Sequence, residues 1–167
     1  MGRSYWHLTR NRILWRNLRT DLAGASRVLD VGCGPGIVVE FLREKGVDCY
    51  GVDLGTPEPV SSALLPYLFL GDASHRLDPE FRRGINTLLL MDVLEHLPEP
   101  LELLEDCYRD FPNAGTVYVT VPARMEVWSA WDEYFGHYRR YTRASLDELV
   151  NHSPYTLERS AYFFHSL

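Results

Sequence analysis

Short apolar runs alternate along this chain with stretches of helical spacing. Residues 6 to 22 place Trp6, Ile13, Leu14, Leu18 and Leu22 near a helical period with arginines between them. That spacing predicts an amphipathic lead-in helix, interrupted near Thr9. RVLDVG (27–32) is an apolar run ending in glycine and predicts a buried strand. IVVEFLREKG (37–46) follows as a helix with Gly46 as its stop. DCYGVDLG (48–55) and YLFLGDA (67–73) predict a second and a third strand, with a Pro- and Ser-containing loop between them. INTLLLMDVLEHL (85–97) opens on the strongest strand signal. Pro98 and Pro100 then bracket a helix start, and LELLEDCYRDF (101–111) carries Leu101, Leu104, Tyr108 and Phe111 on one face. GTVYVTVP (115–122) reads as a fifth strand closed by Pro122. Thr142 reads as the N-cap of the helix RASLDELVN, and TLERSAYFF (156–164) as a last strand.

Strands alternating with helices predict an α/β fold: a doubly wound, mostly parallel sheet with helices on both faces. The whole chain, 1–167, is expected to be one domain, with a lead-in helix over 1–24, a ligand-binding core over 25–122 and a closing segment over 123–167. Ligands in such folds bind outside the carboxyl ends of the strands, where the strand order reverses.

Composition narrows this only a little. The chain is 46% apolar and 24% charged, as a globular domain is. No apolar run approaches the ~20 residues of a membrane span, and the N-terminus carries no signal-peptide pattern. Cys33, Cys49 and Cys107 match neither a disulfide framework nor a zinc spacing, so a reducing cytoplasm is the expected compartment. Five arginines precede the first acid, Asp21, in a chain of net charge −6. They read as a solvated helix face, and duplex nucleic acid is not an expected partner.

The chemistry begins at VLDVGCGPG (28–36). Gly32, Gly34 and Gly36 stand between a strand and a helix, where glycines allow a tight turn and close approach to bare backbone. The helix start beyond them offers N–H groups to a negative group. A dinucleotide site wants G-x-G-x-x-G. Here the pattern is G-x-G-x-G, Ile37 fills the sixth position and Pro35 removes a donor, which argues against a nicotinamide-dependent oxidoreductase. Asp53 closes the second strand and can accept from both hydroxyls of a ribose. Asp72 follows the third strand and can accept from an exocyclic amine. Ribose and adenine without a pyrophosphate describe S-adenosylmethionine.

VLDVGCGPG, GVDLG, GDAS and LLLMDVLEHL, in that order, resemble a class I S-adenosylmethionine-dependent methyltransferase of Rossmann-like fold. The branch most similar includes the ubiquinone-pathway O-methyltransferases. The resemblance runs from about Arg27 to Pro122. It implies that Gly32, Gly34 and Gly36 line the methionine portion of the cofactor, with Cys33 a further cofactor-binding candidate. It further implies that Asp53 holds the ribose and that Asp72 with Ala73 borders the adenine, with Leu54 and Met91 as further cofactor-binding candidates. By the same resemblance Asp30 orders the loop and reaches the ammonium through water. In related enzymes the N-terminal helix lies over the cofactor, and Tyr5, Trp6, His7 and Arg10 suit such a lid. The rival reading packs that helix on the sheet.

Methyl transfer from a sulfonium needs alignment and exclusion of water, and for a hydroxyl or amine acceptor also a base. His137 and then His96 are the candidates, since imidazole titrates near pH ~6.5. MDVLEHL (91–97) also offers Asp92, Glu95 and His96 as cation ligands, with His137 the nearest addition, as in some metal-using relatives. A purely structural role for the segment is the reading adopted, with no metal expected. DEYFGHYRRYT (132–142) and the tryptophans before it suggest an acceptor pocket. Tyr134, His137, Arg139, Trp128 and Trp131 are expected to face it, with Arg140 and Tyr141 structural and one arginine paired with Asp132 or Glu133. The arginines make an anionic acceptor, small or lipid-linked, the first to consider. A seventh, antiparallel strand expected by resemblance has no counterpart in the sequence, so either the chain is truncated or its last strand pairs differently, and an exposed sheet edge with a homodimer, or else a partly disordered C-terminus, is expected. A non-catalytic binding module serving a protein partner is the alternative from another class.

Overall fold

The computed structural model describes residues 5–24 and 27–163, with side chains over 9–22 and 27–163. The chain forms two compact units. One is Met1–Met91 with Phe111–Tyr118, and the other is Asp92–Asp110 with Val119–Leu167.

The first unit holds the sheet apart from Val119 and Thr120, the last residues of its final strand. Its strands are β1 (Val28–Val31), β2 (Cys49–Asp53), β3 (Leu68–Leu70), β4 (Thr87–Met91) and β5 (Thr116–Thr120), in the order β3-β2-β1-β4-β5. The pairings β1–β2, β1–β4 and β2–β3 are parallel. Every residue of β1 and β4 is buried, as continuous apolar runs require when both faces of a sheet are covered. On one face Val28, Cys49 and Leu89 join Val38, Val39 and Leu42 of α2 (Ile37–Glu44) in the main core cluster. On the other, Tyr50 meets Phe69 at 6.4 Å and Phe81 of α3 (Pro79–Gly84) at 5.0 Å. The order reverses between β1 and β4, which makes their carboxyl ends the switch point.

α1 (Tyr5–Gly24) is a single uninterrupted helix, so the expected break near Thr9 is absent. Threonine costs a helix only a few tenths of a kcal/mol (~0.7 at most), less than the packing of this helix returns. Leu14, Trp15, Leu18 and Leu22 pack against the core cluster. Those contacts pack its later half on the sheet; the side chains of Tyr5, Trp6 and His7, expected of a lid, lie outside the described residues. α3 was not expected. Its start is nonetheless written in the sequence, since Asp78 accepts from Glu80 N at 2.8 Å and Phe81 N at 3.0 Å and Pro79 opens the helix.

The second unit contains α4 (Pro100–Asp110), α5 (Ala130–Tyr134) and α6 (Arg143–His152). Thr142 caps α6 as expected, accepting from Ser145 N at 3.1 Å. The expected last strand does not form: Thr156–Phe163 carry no strand, and Phe164 lies outside the described residues. Leu157, Glu158, Arg159 and Tyr162 are all exposed there, so alternation buries nothing. Arg143 holds the segment instead, through Ser160 Oγ at 3.1 Å and Ser160 O at 3.2 Å. Among the described residues no helix is long and apolar enough to cross a membrane.

Candidate functional site

In the first unit the predicted cofactor residues gather at the carboxyl ends of β1, β2 and β3. Asp53 ties them together. Its Oδ2 accepts from Gly34 N at 2.7 Å, its Oδ1 from Gly55 N at 2.8 Å, and its carbonyl from Gly71 N at 2.9 Å and Asp72 N at 3.1 Å. One residue thus fixes the glycine loop and the turn after β3 as well as closing β2. Two of the roughly four acceptor positions on its carboxylate are filled by backbone, which leaves two for hydroxyl groups. Asp72 Oδ1 accepts from Ala73 N at 2.8 Å.

Gly34 has φ +52, and a Cβ built there meets nothing within 4 Å. The turn therefore needs glycine for its backbone angle and opens onto free space. Gly36, φ +85, caps α2 without any side-chain hydrogen bond, leaving the first N–H groups of the helix for a ligand or water. Asp30 is buried on β1, opposite Gly51. Cys33 is buried, and its thiol is pushed well above its ordinary value by burial and then by the charges of Asp30 and Asp53. It is a packed, protonated group rather than a nucleophile. Met91 is 6% exposed and belongs to the core cluster, where it lines a gap of only about 10 Å³ against α1 and α2. Leu54 is 78% exposed beside Asp53.

The second unit holds the tyrosine- and arginine-rich stretch 132–142. Tyr138 N donates to Glu95 O at 2.7 Å, Arg139 Nη2 to Pro98 O at 2.6 Å and Leu97 O at 3.3 Å, and Tyr141 Oη to Leu94 O at 3.2 Å. The stretch is laced onto residues 94–98. At its start, Ser129 and Asp132 form a capping box for α5. That turns Asp132 inward, to 1% exposure, and leaves Glu133 in solvent. Arg140 grips Asp132 with two bonds, Nε–Oδ1 at 2.7 Å and Nη2–Oδ2 at 2.9 Å. His137 Nδ1 lies 2.9 Å from the same Oδ1. The bonds from Arg140, helped by His137 and Ser129, hold the Asp132 carboxyl far below the usual range against the opposing effect of burial.

His96 and His137 meet edge to face, 4.7 Å between ring centres. Partial burial, and then the neighbouring His137, lowers the pKa of His96. Glu95, His96 and His137 bring one ligand atom each within 4.8 Å of one another; Asp92 is outside that group. Asp92 instead sits at φ +58, with Thr120 Oγ1 donating to its Oδ1 at 2.8 Å and its own N–H donating to Thr120 O at 2.9 Å. Of the predicted acceptor residues, Arg139 lines the cleft of this unit. Trp131 and Tyr134 are 68% and 74% exposed and pack on each other, and Trp128 Nε1 reaches Glu133 at 3.5 Å. These three rings are not in the cleft wall. Sequence reasoning saw Asp132 only as an arginine partner; the Ser-x-x-Asp capping signature at 129–132 is the signal that turns it inward.

A family model described as a methyltransferase domain matches residues 5–159. The chain belongs to that methyltransferase family. Among curated relatives, the ubiquinone biosynthesis O-methyltransferase of Pseudomonas entomophila (strain L48) is 34% identical over 114 residues, 64% of this chain and 48% of the relative. That of Pseudomonas aeruginosa (strain UCBPP-PA14) is 30% identical over 116 residues, 65% and 49%. The methyltransferase chain thus spans about half the length of the curated relatives it matches. Solved structures agree on the fold. One is an S-adenosylmethionine-dependent methyltransferase from Archaeoglobus fulgidus, with TM-score 0.53, 20% identity and coverage of 89% of this chain and 73% of that one. Another is the O-methyltransferase NcsB1 from neocarzinostatin biosynthesis, with TM-score 0.60, 19% identity and coverage of 88% and 50%. At such identities these two methyltransferase structures speak for the Rossmann-like sheet alone.

Proposed function

We propose that this chain is an S-adenosylmethionine-dependent methyltransferase acting on a hydroxyl of a small or lipid-linked, anionic acceptor. The observation that carries the reading is Asp53. Its carboxylate stands at the end of β2, bonded to the glycine loop, with acceptor positions left for two hydroxyls. The uncapped start of α2 suits a carboxylate, and Asp72 keeps an oxygen for an amine. These residues fit S-adenosylmethionine, which when bound supplies an electrophilic methyl group on a sulfonium. The names of the curated relatives favour oxygen as the acceptor atom.

In this reading His137 is the base and Asp132 its positioning residue. Asp132 accepts from Nδ1–H, which leaves Nε2 unprotonated to take the acceptor's hydroxyl proton. The carboxylate then stabilises the imidazolium, less strongly than a free aspartate would, because Arg140 already neutralises it. The proposal includes a homodimer joined through a sheet edge, checked by light scattering. A single-chain mass at high concentration would remove that part.

The test is a panel of hydroxylated acceptors, with and without a carboxylate, with detection of S-adenosylhomocysteine. Turnover that falls at least about 100-fold in His137→Ala, with cofactor binding intact, supports the reading. Cofactor binding with no turnover on any acceptor favours the non-catalytic module. A second reading has one observation behind it: Glu95, His96 and His137 as cation ligands, with Asp132 behind His137 as carboxylates often stand behind ligating histidines. Turnover unchanged by EDTA and by added Mg²⁺ or Zn²⁺ would remove it.

A further inference from the structure

The second unit contains a cleft of about 430 Å³. The start of α4, the turn at Met125, the arginine pair and one face of α6 line it. Its volume falls in the range of small-molecule sites, roughly 300–1,000 Å³. The wall is mixed. Leu101, Met125 and Leu149 supply apolar surface, while Arg139, Arg140 and Glu148 supply charge.

The two arginines differ. Arg140 is committed: Nε and Nη2 bond Asp132, and Nη1 bonds Ala123 O at 3.2 Å. Arg139 is held only by carbonyl oxygens, those of Leu97 and Pro98, both through Nη2. Among the described residues no carboxylate pairs with it, although it is half-buried. A partly desolvated guanidinium held by neutral acceptors keeps its full charge and its remaining donors for an anion. On the same cleft, α6 has no buried residue in its ten, and Leu149 on it is half-covered. An apolar body seated there would finish burying that face. Glu148 sets the limit on charge. Among the described wall residues Arg139 is the guanidinium with no carboxylate partner and Glu148 the carboxylate, so a singly charged group is accommodated and a dianion is disfavoured.

We propose that this cleft binds an organic monocarboxylate with an apolar body, its carboxylate on Arg139 and its body against Leu101, Met125 and Leu149. As a carboxylate site the cleft stands on its own geometry. As the acceptor site it rests on the function proposed above, where it narrows the acceptor to a hydroxylated monocarboxylic acid.

The test uses calorimetry of the full chain with benzoate, 2-naphthoate and decanoate, each beside its neutral amide, and with phenyl phosphate. At least one carboxylate is expected to bind at least about tenfold tighter than its amide and than phenyl phosphate. Arg139→Gln should abolish the preference for carboxylate over amide, Arg139→Lys should keep part of it, and Leu149→Gln should weaken both partners of the pair. Circular dichroism confirms that each variant is folded. If Arg139→Gln does not fold, the Leu149→Gln and Arg139→Lys results decide. Equal binding of acid and amide, a preference that survives Arg139→Gln, or no carboxylate binding at millimolar concentration overturns the proposal. Carboxylate binding without methylation of hydroxylated analogues leaves the cleft standing and removes its acceptor role.

Discussion

Asp132→Ala tests the arrangement around His137 most severely. The substitution removes a 1%-exposed carboxylate that receives two bonds from Arg140 and one from Ser129 N at 2.9 Å, and that contacts His137. It leaves the Arg140 guanidinium, 20% exposed, without its counter-charge. Removing one partner of a buried pair costs about 3–5 kcal/mol. The partial exposure of Arg140 points to the lower end. A loss of about 3 kcal/mol lowers the midpoint by about 6–12 °C in a chain of this size. Thermal melts followed by circular dichroism measure it. Arg140→Met alone should cost a similar amount, since it strands the carboxylate. The double variant Asp132→Ala/Arg140→Met should be more stable than the sum of the single losses by about 1–3 kcal/mol, because neither charge is then left alone. A midpoint for Asp132→Ala within about 2 °C of wild type, or strict additivity in the double variant, would refute the reasoning.

Three further outcomes follow from particular contacts. Gly51→Ala would place a Cβ 2.6 Å from Cys33 Sγ and 2.9 Å from Leu68 Cδ2. It should destabilise by about 1–3 kcal/mol in a denaturant titration and weaken cofactor binding through the glycine loop. Thr120→Val deletes the hydroxyl that bonds Asp92 Oδ1 beside its left-handed angle; it should destabilise by about 1 kcal/mol in a denaturant titration, with Thr120→Ser restoring most of the loss. Lowering the pH should destabilise the fold in two ways. His96, its pKa held below the usual ~6.5, stays neutral in the fold while the unfolded chain takes up a proton, so stability drops as pH falls from about 6.5 toward the folded value. Asp132, its pKa held far below ~3.9, adds stability that is present above that value and lost on further acidification, and Asp132→Asn should remove this second component from acid melts.

Local features carried most of what the sequence disclosed. Gly34 needs its positive φ, Asp53 ends a strand beside the glycine loop, and Thr142 caps α6; each is decided within a few residues or by one parallel pairing. What required the fold was the choice among near neighbours. Asp132 and Glu133 are equivalent on paper, and only the Ser129 capping box turns the first inward. Arg139 and Arg140 are adjacent, yet one is spent on Asp132 and the other is not. The strand expected at TLERSAYFF fails because alternation is sufficient for a strand only when another strand or an apolar layer receives it. The rings of Trp131 and Tyr134 look like a pocket wall in sequence, but they pack on each other in solvent.

Calorimetry with S-adenosylmethionine, S-adenosylhomocysteine and NAD bears most directly on the assignment of the glycine loop and Asp53. Both adenosyl compounds should bind at one site per chain and NAD should not. Asp53→Asn, which keeps the shape but turns one carboxylate oxygen, already accepting from a glycine N–H, into a donor, should weaken both by at least about tenfold. No heat with either adenosyl compound, or NAD binding in their place, would contradict the cofactor assignment and the methyl-transfer function built on it.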